Sequence, residues 1–284
     1  MVTRAPMFAG RFYPASEREC RAMVRGWDIV KKSDVPVLGG LVPHAGWIYS
    51  GATAARTIAA LAASRPETVF VFGAVHVYDP NRASLFERGC WETPLGELAV
   101  DADVCDAIAS CPAIRIAPEA HINEHSIEVE LPLLRYYLPE TRIVPLMIQP
   151  GPWANEIGRV CRRAAADLGR RAAFLASTDL THYGPIFGFE PAGRGEAGLR
   201  WAKQVNDRRF LERVAQLDEE AVVPEALRSY NACGSGAVAA MLSALVDSGN
   251  VAYRELQHTT SAEQAPLDPD RLNAVGYVSA VFHS

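Results

Sequence analysis

The chain has 284 residues, 49% of them hydrophobic and 21% charged, with 28 Lys and Arg against 33 Asp and Glu. That composition excludes disorder, collagen and low complexity, and it leaves enough apolar material for a sizeable core. A formal net charge of −5 argues against a broad nucleic-acid surface or a polybasic membrane patch, because both need clustered positive charge. The six cysteines, at 20, 90, 105, 111, 161 and 233, form no CxxC pair, and a chain of this size needs no disulfide staples, so reduced thiols in a cytoplasm are expected. The opening MVTRAPMFAGRFYP lacks the apolar core of a signal peptide, and no run reaches the ~20 apolar residues of a membrane span.

In chain order, short β-rich apolar runs alternate with longer periodic segments rich in Ala and Leu. Helices are predicted near Ser16 to Trp27, Ser50 to Ala63, Ala102 to Ser110, Ser126 to Leu138, Ala154 to Leu168, Ala197 to Leu217 and Gly234 to Ser248. Strands are predicted at Val35 to Val42, Thr68 to Phe72, Ile143 to Ile148, Ala172 to Ala176, Val251 to Leu256 and Ala274 to Phe282. This alternation predicts a layered α/β fold built from crossover units. No stretch is long or polar enough to be a convincing linker, so residues 1–284 are expected to form one domain.

Four apolar runs end in polar clusters, and in open α/β sheets ligand sites gather at the carboxyl ends of strands. His44 follows the first run in GLVPHAGWIYSG, and His76 follows the second in VFVFGAVHVY. Asp179 and His182 stand three residues apart in FLASTDLTHYG, and Cys233 precedes a predicted helix in YNACGSGAVAAM. Each alone is often structural: a hydrogen-bonded strand-end imidazole, or a small buried thiol. Their recurrence at one kind of position points to a shared pocket, and imidazoles with a thiolate or carboxylate are ordinary ligands of Fe, Cu and Zn.

A fifth segment, HINEHSIEVELPLL, places His121, Glu124 and His125 in an H-x-x-E-H pattern. The zinc-protease reading needs both histidines on one helix. Here the helix is expected to start only near Glu124, which leaves His121 outside it and turns Glu124 and His125 toward the shared pocket. Cys233 as a nucleophile activated by His182 or His44, with no metal, is a third chemistry these residues allow.

In order and spacing, AGRFYP, VPHAGWIYSG, ETPLGEL, EHSIEVELPLL, IVPLMIQ, STDLTHYG, CGSGAV and the closing VGYVSAVF resemble the Memo family, protein B of the AmmeMemoRadiSam system. The resemblance covers nearly the whole chain. It implies a single three-layer αβα domain with a central mixed sheet, similar to class III extradiol dioxygenases. It also implies His44, His76 and Cys233 as metal ligands and His182 as acid/base with Asp179 beside it; Glu124 and His125, read from their own segment, are expected behind them. Iron is the first metal implied. A thiolate is softer than the carboxylate of oxygen-activating iron sites, so copper and zinc stand as alternatives. The implied activity is redox or dioxygenase-like, on a small molecule. The other reading is a non-catalytic module that binds a peptide or protein in the same cleft. Radical SAM and AMMECR-type proteins of the same system are the implied protein partners, with neither nucleic acid nor membrane involved.

Overall fold

The computed structural model describes residues 2–29, 35–246, 249–265 and 272–284. Its strands are β1 (Thr3–Arg4), β2 (Val37–Val42), β3 (Thr68–Gly73), β4 (Ala83–Leu85), β5 (Cys90–Thr93) and β6 (Gly96–Ala99), followed by β7 (Ile114–Ile116), β8 (Arg142–Ile148), β9 (Ala172–Ser177), β10 (His182–Tyr183), β11 (Ala252–Thr260) and β12 (Ala274–His283). The α-helices are α1 (Glu17–Gly26), α2 (Trp47–Leu61), α3 (Ala102–Ile108), α4 (Leu131–Tyr137), α5 (Trp153–Asp167), α6 (Glu196–Trp201), α7 (Asp207–Ala215), α8 (Val222–Ser229), α9 (Ser235–Val246) and α10 (Ser261–Gln264).

Nine of the strands form one mixed sheet in the order β10-β12-β2-β9-β3-β8-β4-β7, with β11 paired to β12. Its centre, β2-β9-β3-β8, is parallel; β12 and β4 join its two sides antiparallel. The central strands are buried on both faces, as in β3, where Thr68 to Gly73 are all buried. That is why they read as continuous apolar runs instead of alternating ones. Phe70 stacks on Phe174 of the neighbouring strand, their ring centroids 4.9 Å apart.

Helices cover both faces. On β2 the position of Gly39 abuts Leu245 of α9, and the next residue, Gly40, abuts Thr57 of α2. Successive strand residues point to opposite faces, so α9 and α2 lie on opposite sides of the sheet. Helix α5 packs outside on α9, and α4 packs beside α2. This is the three-layer αβα arrangement. Among the described residues no helix is long and apolar enough to cross a membrane.

Two predicted helices differ instructively. The helix predicted from Ser126 starts at Leu131, after a 3-10 turn at Glu128–Glu130, with Pro132 in its first turn. Pro is tolerated there because its missing N–H would be unpaired anyway. Upstream, the N–H groups of His125 and Ser126 are taken by the Glu124 carboxylate, which holds that backbone in a turn. The helix predicted over Ala197 to Leu217 is α6 and α7 joined by a π turn, Ala202–Asn206. The predicted end of the last helix, residues 247–248, lies outside the described residues.

Candidate metal centre

The parallel order of β2, β9 and β3 brings their carboxyl ends side by side. The residues just beyond them are His44, Asp179 and His76, so one edge of the sheet collects side chains from three crossover units. Cys233 reaches the same edge from the turn before α9. A Cβ on Gly234 would sit 2.2 Å from the Ser177 carbonyl, so only glycine lets this turn approach the end of β9 closely.

His44 is 1% exposed, and its ring nitrogens are unambiguous in role. Ser177 Oγ lies 2.7 Å from the Ser126 carbonyl, to which it donates its one proton, and 2.7 Å from His44 Nδ1. The hydroxyl must therefore accept from Nδ1–H, which leaves His44 Nε2 unprotonated. Nε2 faces Cys233 Sγ at 3.2 Å. Burial, reinforced by the neighbouring His76, His125 and His182, pushes the His44 pKa well below its ordinary value.

Glu124 organises the other two imidazoles. Its buried carboxylate accepts from His76 N at 2.6 Å and His76 Nδ1 at 3.0 Å, and from the N–H groups of His125 and Ser126, each at 2.9 Å. Burial opposes its charge, but these bonds outweigh burial and hold its pKa down to about 2. For His76 burial also opposes the charge; bonds to Cys233 and Glu124 overcome it and lift the pKa to about 10. His125 stacks on His76, centroids 4.7 Å apart, and lies against Phe12 at 4.6 Å. Burial first, then the charge on His76, takes the His125 pKa down to about 4.

One ligand atom from each of His44, His76 and His125 lies within 4.8 Å of the other two, so the three side chains can hold a metal ion. His44 is buried, His125 half-buried, and His76 leaves 33% of its side chain open to solvent. Sequence reasoning placed His125 behind the ligands and Cys233 among them; in the structure both adjoin His44. His121 is elsewhere: its Nε2 bonds the Ser84 carbonyl at 3.0 Å and its ring packs on Trp91.

Asp179 is 4% exposed and accepts the His44 backbone N–H at 2.8 Å. Burial raises its pKa to about 7, against the bonds from the N–H groups of His44 and Ala45. Its own N–H points to Cys233 Sγ at 3.3 Å. His182 lies at the border of two cavities. One, of about 490 Å³, runs past His125, Asp179, Tyr49 and Tyr277. The other, of about 590 Å³, runs past Cys233, Leu227 and Tyr230.

Three contributors escaped the sequence reading. Ser177 fixes the His44 tautomer, and its signal was its position at the strand end, two residues before Asp179. Arg4, only 5% exposed, donates to the carbonyls of His121, Ile122 and Glu124 and pairs with Glu128. Glu128 in turn takes the N–H groups of Met7 and Phe8 and the Tyr13 hydroxyl, which seats Phe8 and Phe12 against His125. The AGRFYP and EHSIEVELPLL segments thus act as one unit.

Comparison with known proteins places the chain among its relatives. A family profile described as Memo-like protein matches residues 4–281. Among similar proteins, MEMO1 family protein MK0963 of Methanopyrus kandleri is 35% identical, with 99% of each chain covered. MEMO1 family protein TK1477 of Thermococcus kodakarensis is 33% identical, also with 99% of each covered. An uncharacterized protein of known structure from Escherichia coli K12 overlays with a TM-score of 0.48 at 15% identity, over 81% of this chain and 92% of that one. The match along nearly its whole length makes this chain a member of the Memo-like protein family.

Proposed function

We propose that this protein binds one transition-metal ion at the strand-end cluster and acts there on a small molecule, in a redox or dioxygenase-like reaction. The observation that carries the reading is the convergence of the His44, His76 and His125 ligand atoms within 4.8 Å, with Cys233 Sγ 3.2 Å from His44 Nε2. Imidazole nitrogens with a thiolate suit iron, copper and zinc and disfavour magnesium or calcium. Iron is the first expectation, copper and zinc the alternatives.

The surroundings fit a metal. Ser177 and Glu124 occupy the Nδ1 atoms of His44 and His76, which turns both Nε2 atoms inward, as outer hydrogen bonds do for metal-ligating histidines. A redox ion held there would supply electron exchange and polarise a bound oxygen ligand. The remaining work falls to the chain. Asp179, with a pKa near neutrality, can hold or release a proton beside the cluster. His182 can take one from a substrate in either adjoining cavity. Phe12, Tyr49 and Tyr277 shape the cavity past His125 and limit the water around the reacting groups.

The test is metal analysis of stripped protein reconstituted separately with Fe(II) under anaerobic conditions, Cu(I) and Zn(II). Wild type is expected to take up one ion, His44→Ala to lose it, and Cys233→Ser and His125→Ala to bind more weakly. Equal, negligible uptake by all four proteins would rule out the site. Oxygen uptake with a panel of diols then addresses catalysis.

A second reading is favoured by the mouth of the cleft, where Ile186, Tyr230 and Leu227 are 73%, 71% and 59% exposed. Such an apolar rim suits a peptide-binding module on the same scaffold, with proteins of the AmmeMemoRadiSam system as the partners to try first. Saturable peptide binding, with no oxygen uptake from any diol, would favour it.

A further inference from the structure

His182 has a defined tautomer. Its Nδ1 lies 3.1 Å from the Leu180 carbonyl, an acceptor only, so Nδ1 carries the proton and the Nε2 lone pair is left for the cavity. The tautomer therefore depends on where residues 180 and 181 are held. They are gripped from two sides. Leu180 N donates to the Gly276 carbonyl at 2.8 Å, and Gly276 N donates to the Thr181 carbonyl at 3.0 Å. From the other side, Asp207 Oδ1 accepts Thr181 N at 3.0 Å.

Asp207 is itself fixed by a residue far away in sequence. His258, on β11, places Nε2 2.9 Å from Asp207 Oδ2, and the two side chains are 2% and 1% exposed. The other His258 nitrogen, Nδ1, is buried with no hydrogen-bond partner among the described residues. A polar ring buried with one atom unsatisfied is costly, so this pair is not an optimum for stability alone.

The backbone is arranged around the same carboxylate. The π turn Ala202–Asn206 interrupts the helix immediately before Asp207, and such turns occur often at functional sites. It also aims Asn206 Nδ2 at Thr181 Oγ1, at 3.1 Å. A Cβ on Gly276 would sit 2.3 Å from Asp207 Oδ2, so glycine at 276 is what admits the carboxylate.

We propose that Asp207 and His258 are positioning residues for His182: a buried pair that clamps Leu180 and Thr181 and thereby keeps the Nε2 of His182 unprotonated and directed at the cavity. Use of His182 as the proton-handling group rests on the proposed function. Its placement does not, and it is measured on metal-free protein, so failure of metal binding and failure of this proposal are separable.

The experiment is long-range proton–nitrogen NMR of the full chain, labelled with nitrogen-15 histidine, at a pH well above the ordinary imidazole pKa. The expected wild-type signal for His182 is the Nδ1–H tautomer. His258→Leu and Asp207→Asn should each lower the ratio of Nδ1–H to Nε2–H by about tenfold, the upper worth of one net hydrogen bond. His258→Gln keeps an N–H donor toward Asp207 and should restore the wild-type ratio, which a purely structural filler would not do. If His258→Leu does not fold, Asp207→Asn carries the decision. An unchanged ratio in either folded variant, or an equal loss in His258→Gln, overturns the proposal.

Discussion

Replacement of Glu124 by Gln isolates the group that ties the imidazoles together. The carboxylate accepts four hydrogen bonds: two from His76, and one each from the N–H groups of His125 and Ser126. A carboxamide keeps one acceptor oxygen, best placed where His76 Nδ1 and the N–H groups of His125 and Ser126 meet, and turns its two donors toward the His76 backbone N–H. At least one buried donor is then unpaired, at a cost of about 1–3 kcal/mol, and the bonds that persist lose their charge assistance. A total of about 3 kcal/mol follows, and at roughly 2–4 °C per kcal/mol for a chain of this size Tm should fall by about 6–12 °C. The His76 Nδ1 bond to the retained oxygen loses its charge assistance while the amide nitrogen opposes the His76 backbone N–H, which together loosen the His76 ring and should weaken metal binding by about 10–100-fold. Calorimetry of the metal-free variant gives the first quantity, and competition with a chromophoric zinc chelator gives the second. A Tm within about 2 °C of wild type together with unchanged zinc affinity would refute the role assigned to Glu124.

Arg4→Met should destabilise the protein by about 3–5 kcal/mol in urea titration, because it leaves Glu128 buried without its cation; a loss within error would show that the Tyr13 hydroxyl and backbone bonds suffice. Glu130 is fully buried, neither carboxylate oxygen has a hydrogen-bond partner among the described residues, and burial, then the charge of Asp179, raises its pKa well above the ordinary value. The folded protein then holds a proton that the unfolded chain releases above its ordinary pKa of about 4.5. The Glu130 contribution is complete below that pH and declines as pH rises toward the folded pKa. Glu130→Gln should therefore be more stable than wild type at neutral pH and lose the advantage in acid, as measured by unfolding across pH. Among the cysteines only Cys233 is not buried, so native iodoacetamide treatment should label it alone, with zinc protecting it; peptide mass mapping checks both points. Gly276→Ala should cost about 1–3 kcal/mol by overpacking against Asp207, seen as a lowered urea midpoint.

Much of the layered fold was legible from local pattern. The runs at Thr68 to Phe72 and Ala172 to Ala176 are the buried parallel strands β3 and β9, because a strand covered on both faces must be apolar throughout. The strand expected at Val251 to Leu256 extends to Thr260 because its pairing with β12 continues that far. Short strands such as β4, β7 and β10 went unread, since three residues or fewer carry no period and exist only through their neighbours. Helix α8 was missed as well, its Pro224 and mixed polarity masking eight residues of amphipathic pattern.

The sequence by itself determined that His44, His76 and Asp179 follow strands, for the apolar runs that build the sheet also define where it ends. It could not determine which imidazoles meet. His121 and His125 are four residues apart, yet one packs on Trp91 and the other on His76, a choice made by Glu124 drawing its own backbone into a turn. Cys233 reaches His44 across 189 positions, and His258 reaches Asp207 across 51. Periodicity reports which face of an element is buried, whereas the distance between elements depends on strand order and crossover packing. Both are set by long-range pairing, so the cluster exists only in the folded chain.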